Sequence, residues 1–155
     1  MYQIEPAAYI FTHVYMNTMQ QGIQSLHVIG EFIANYKPHD DQWLDVVEWA
    51  RDYKVVKIIS AGGGEAYDIA YQEAKALAKG YDLPFSEFIE PDNFNQRTAF
   101  GFIITPECCM KVQEIREVFA KGHADMGVTD IEQLPDAVAD DIDLIQFLKY
   151  KPSAR

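Results

Sequence analysis

The spacing of apolar residues changes several times along the chain, and each change predicts an element. Residues 9–15 form a run rich in aromatic and β-branched side chains, which predicts a strand. The stretch 16–27 carries no charge, and apolar residues at Ile23, Leu26, Ile29 and Ile33 recur at helical intervals. A polar turn therefore leads into a helix whose apolar stripe is expected to face the core, with Asn17 or Thr18 as its cap. Gly22 costs about 1 kcal/mol of helix propensity relative to Ala, which predicts that something packs or binds close to the first turn. The turn Lys37-Pro38-His39-Asp40-Asp41 separates this helix from a shorter one with Trp43, Leu44, Val47 and Ala50 on its apolar face.

Val55, Val56, Ile58 and Ile59 read as a buried strand that ends in Ser60-Ala61-Gly62-Gly63-Gly64. Residues 65–79 form a helix stopped by Gly80, and 85–89 and 99–104 are strands. Val112, Ile115 and Phe119 mark a last core helix closed by Gly122. Strands alternating with helices predict a single α/β domain, a mixed four-stranded sheet with helices on both faces. The link between the last two strands is short enough for an antiparallel pair. This domain is expected over residues 1–122. An acidic C-terminal extension, 123–155, carries one amphipathic segment in which Leu134, Val138, Ile142 and Leu148 can dock on the body.

Charge narrows the partners. The net charge is −11, and residues 124–148 hold seven acids and no base. Such a balance argues against broad attraction to nucleic acid, which is held mainly through phosphate neutralisation. It leaves an acidic surface suited to a protein partner with a basic face. Cys108 and Cys109 are neighbours, a placing that rarely meets disulfide geometry, so a reducing, cytoplasmic setting is expected. Residues 6–30 are uncharged but too rich in Gln, Asn, Thr and His to cross a bilayer, and no membrane association is expected.

Two chemistries are disfavoured. The glycines 62–64 follow a strand and precede a helix, but a dinucleotide fingerprint would need glycine where Tyr67 stands, and Glu65 and Asp68 would repel an anion. They read as a flexible turn. The cysteine pair has no zinc-site spacing. His13 falls within the first predicted strand and reads as an ordinary sheet residue, and Asp92, in Pro-Asp-Asn, suits an Asx turn as well as a functional role.

The pattern Met16…Gln24…His27 on the first helix resembles the peptidyl-tRNA hydrolase type 2 family, whose first helix opens Met-Gly-Lys-Gly-Lys and continues Ala-x-Gln-x-x-His. Trp49 followed by Lys54-Val55-Val56-Lys57 looks like the family's tryptophan and Lys-Val-Val-x-Lys strand. Asp92 falls on the aspartate of Asp-Ala-Gly-Arg-Thr, and residues 98–106 resemble its threonine-led last strand. The likeness covers about residues 9–122, with a shortened loop between Asp92 and Thr98.

What the resemblance implies is hydrolysis of the ester between a peptide and the 3′ end of a tRNA, with no metal and no cofactor. His27, Asp92 and Thr98 become the catalytic candidates. Asp92 would orient water, and Thr98 or Gln24 would supply uncharged donors to the oxyanion. Thr18 and Gln20 fall on the family's two lysines, and Arg97 offers a guanidinium from the shortened loop if it folds inward, so Thr18, Gln20, Gln24 and Arg97 are the substrate-binding candidates. Losing two cations weakens peptidyl-tRNA binding. The alternative is a non-catalytic binding or regulatory protein on the same scaffold, acting on a protein partner through its acidic surface. The sequence leaves a homodimer open.

Overall fold

Side chains of β1 (Ala7–Thr12) alternate between two buried faces, because this strand lies inside the sheet. Tyr9 and Phe11 join one core cluster, Ala8 and Ile10 the other. The computed structural model describes residues 4–126 and 144–148. Its sheet is four-stranded and mixed, ordered β2-β1-β4-β3, with β1 parallel to β2 (Val56–Ser60) and antiparallel to β4 (Gln96–Ile104). β3 (Phe85–Glu90) pairs antiparallel with β4 through the five-residue turn 91–95. Phe94 and Asn95 close that turn in left-handed backbone, at φ 52° and 54°.

Helices cover both faces. α1 (Thr18–Asn35) and α2 (Trp43–Glu48) pack on one, where Val28, Phe32, Val46 and Trp49 meet Ala8, Ile10, Ala99 and Ile103. α3 (Glu65–Gly80) and α4 (Pro106–Met126) pack on the other, where Tyr67, Tyr71, Cys108 and Val112 meet Tyr9, Phe11, Phe100 and Phe102. Residues 144–148 form a short helix on this second face. Phe147 lies 5.2 Å from the Phe11 ring, so part of the expected extension belongs to the core.

Several expectations are corrected. β1 ends at Thr12, so His13 stands beyond the strand. β2 is an edge strand, and only Ile59 along it is buried, while Val55 and Val56 are exposed. α2 turns Val46 inward and leaves Leu44 and Ala50 outside. A wider turn over Trp49–Tyr53 then carries Trp49 into the core, its indole N–H donating to the Val55 carbonyl at 2.9 Å. α4 continues past Gly122. The side chain of Phe119, and residues Leu134, Val138 and Ile142, lie outside the described residues, whereas Leu148 is buried.

The largest correction concerns α1. It buries Gln21, Ser25, Val28 and Phe32, and it turns Ile23, Leu26 and Ile33 outward. A side chain at Gly22 would meet nothing within 4 Å, so that glycine is not explained by close packing. Two other glycines do admit close approaches. A Cβ on Gly101 would strike the Tyr9 carbonyl oxygen across the β1–β4 ladder, and one on Gly63 would come within 2.8 Å of Tyr15 and 3.1 Å of His13. The 62–64 turn is therefore packed, with Gly62 and Gly64 at positive φ.

Candidate functional site

The site is built by pinning α1 to the edge strand β3. At the start of the helix, Asn17 Oδ1 accepts from the Gln20 backbone N–H at 2.9 Å and Gln20 Oε1 accepts from the Asn17 N–H at 3.1 Å, a reciprocal cap. The Gln20 side chain, expected at a substrate position, thus serves the cap. Thr18 is the first helical residue and is exposed. Beyond the helix end, the Tyr36 hydroxyl donates to the Phe85 carbonyl at 3.1 Å and accepts the Phe85 N–H at 2.7 Å. Burial raises the pKa of Tyr36 above the usual phenol value, the Phe85 bond partly opposing it. Between these ends the His27 ring stacks on Phe88, 4.2 Å apart and 10° from parallel.

A bulge in β4 supplies the central group. Phe88 pairs with Ala99 and Ile89 pairs with Arg97, so Thr98 is the extra residue. Thr98 and Ala99 consequently both face α1, and Thr98 is only 6% exposed. The Thr98 hydroxyl donates to Gln24 Oε1 at 2.8 Å, and Gln24 Nε2 donates to Glu90 Oε2 at 3.3 Å. These contacts define one another: a carboxylate oxygen accepts, so the amide must turn its nitrogen to Glu90 and its oxygen to Thr98. One N–H of the Gln24 amide remains for another acceptor. The sequence pattern does not single out Glu90, although its alternation with Phe88 before the Pro-Asp-Asn turn puts it on this face.

The bulge also sorts charge. Arg97 points to the opposite face, its guanidinium carbon 3.3 Å from the centre of the Tyr71 ring and its Nε 3.2 Å from Glu87 Oε2. It does not join Gln24, Thr98 and His27. Asp92 lies exposed in the turn, two residues beyond Glu90. The structure therefore joins Gln24 to Thr98 directly, stacks His27 of the same helix on Phe88, leaves Asp92 exposed in the turn, and separates Arg97 from them.

Deeper on this side, beneath the first turns of α1, Gln21 Nε2 donates to the Met16 carbonyl at 3.1 Å and Ser25 donates to the Gln21 carbonyl at 2.7 Å. Gln21 Oε1 and Thr12 Oγ1 are buried without protein partners. At the other side of the β1 terminus, His13 lies between the rings of Tyr15 and Tyr67, each 4.9 Å away. Burial lowers the pKa of His13, with Asp68 pulling the other way. Among the described residues no group of three or more His, Cys, Asp and Glu side chains converges as a metal site, and no helix is long and apolar enough to cross a membrane. Burial raises the Cys109 thiol to about 11, which keeps it protonated and unreactive at neutral pH.

The molecule is a mixed-sheet α/β protein with a polar relay between its first helix and its last hairpin. No family model matches the chain, and comparison with curated proteins finds no match.

Proposed function

We propose that the α1 side of the sheet hydrolyses the ester joining a peptide to the 3′ end of a tRNA, the reaction implied by the resemblance to type 2 peptidyl-tRNA hydrolases. The observation that carries this reading is the relay from Thr98 through Gln24 to Glu90. It holds an amide N–H in one orientation without a positive charge, which suits a donor to the oxyanion of a tetrahedral intermediate. Asp92, within about 7 Å of Glu90 along the chain, takes the proton of the attacking water. As the intermediate collapses, the carbon–oxygen bond to the ribose breaks and that proton passes to the leaving ribose oxygen. His27, one turn beyond Gln24 and stacked on Phe88, offers a flat surface and a nitrogen to the substrate's terminal nucleotide.

The site differs from the family in charge, since Thr18 and Gln20 replace the lysines and Arg97 faces away. Turnover should therefore vary little with salt, unlike that of a site that binds through many phosphate contacts. The same orientation of Arg97 favours a second reading, a non-catalytic protein-binding module. Release of labelled peptide from peptidyl-tRNA separates the two. The full chain should turn over, and Gln24→Leu should cost about a hundredfold, the scale of one lost oxyanion donor. Absence of turnover, or an unaffected Gln24→Leu, removes the hydrolase reading in favour of the second.

A further inference from the structure

Helix α1 carries two seams on opposite sides. The inward one, Gln21, Ser25, Val28 and Phe32, meets the sheet. The outward one is more apolar: Met19, Ile23, Leu26 and Ile33 are 76%, 46%, 68% and 56% exposed. With Gly30 filling the gap, these positions follow one another at alternating intervals of four and three, the repeat by which one helix packs along another. A surface helix ordinarily shows a polar face there, and contiguous apolar patches beyond a few hundred Å² mark interaction sites. A side chain at Gly30 would meet no atom within 4 Å, so a second backbone has room to approach.

We infer that this seam is a homodimer interface, occupied by the same helix of a second copy. Charge selects the occupant. Each copy carries −11, so most approaches of two copies bring like charges together. Residues 6–30 contain no Asp, Glu, Lys or Arg, and none stands on the seam as far as Ile33. A two-fold contact, which sets one patch against itself, is favoured at such a neutral surface. A basic partner helix would find no carboxylate along the seam. Residues 144–148, which end the acidic stretch, lie on the far face of the sheet, where they share one cluster with Phe11, Phe102 and α4.

An antiparallel crossing about a two-fold near Leu26 sets Met19 of one copy beside Ile33 of the other and Ile23 over the bare Cα of Gly30. Eight apolar side chains and the flanking helix surfaces then approach the roughly 1,000 Å² that a specific interface requires. The row bearing Gln24 and His27 lies toward β3, to one side of the seam, and remains open.

The test is sedimentation of the full chain from about 1 μM to about 100 μM, a range that brackets micromolar association. The wild type should become dimeric within it. Leu26→Glu and Leu26→Lys should each weaken association by about thirtyfold or more, the scale of a lost central anchor. Their circular dichroism should be unchanged because Leu26 is exposed in the monomer. An equimolar mixture of the two variants should recover the dimer. A wild type that stays monomeric throughout, or a dimer indifferent to Leu26→Glu, overturns the proposal, and neither result depends on hydrolysis.

Discussion

The two faces of the sheet are built from different materials. On the α3 side, Tyr9, Phe11, Tyr67, Tyr71, Phe100, Phe102 and Phe147 form a continuous aromatic core, with the Phe11 and Phe100 rings stacked at 5.2 Å. On the α1 side the strands contribute Ala8, Ile10, Ala99 and Ile103, and four of the buried groups, Thr12, Gln21, Ser25 and Thr98, are polar. Apolar burial contributes stability in proportion to area, and aromatic side chains carry the most of it. The α3 side therefore holds the fold together, which lets the α1 side keep polar groups whose burial would otherwise be costly.

The largest test of this contrast is a chain ending at Met126. It removes the buried Leu144, Ile145, Phe147 and Leu148. At about 1.5–3 kcal/mol for each side chain, the loss rivals the whole stability of an ordinary domain. Such a chain should lack a cooperative unfolding transition in urea; a sharp one would show that the α3 side is self-sufficient. Phe100→Ala should cost about 3–5 kcal/mol by the same measurement. Thr98→Val, across the sheet, should cost no more than about 1 kcal/mol. Equal losses at the two positions would erase the division between scaffold and site.

The smallest effect concerns pH. His13 has its pKa lowered by burial, so near and below 6.5 the unfolded chain binds more protons than the folded one. Stability should fall as pH drops from above 6.5 through the lowered value, and His13→Phe should flatten that slope. A slope unchanged by the substitution would assign the acid sensitivity to other groups.

The order of elements was legible in the sequence because helical and strand periods differ, and Gly80 and the 91–95 turn punctuate them. The orientation of α1 was not. Its spacing supports either of two seams, and a hydrophobicity rule selects Ile23, Leu26 and Ile33, whereas the sheet beneath presents small side chains and polar strand ends. Val28 and Phe32 fill the small-residue surface, while Gln21 and Gln24 answer Met16 and Thr98. Gln24 and Thr98 were nevertheless marked from the sequence, and the structure joins them directly. Arg97 was expected in a loop because the shortened connection suggested one; β4 instead begins at Gln96.

The single unpaired position in β4 governs where a charge stands. Without the bulge, ordinary alternation would exchange the two side chains, sending the Thr98 hydroxyl toward Tyr71 and the Arg97 cation toward Gln24. The register of this one hairpin thus decides whether a guanidinium stands beside the Gln24 amide and the Glu90 carboxylate, with no new basic residue required.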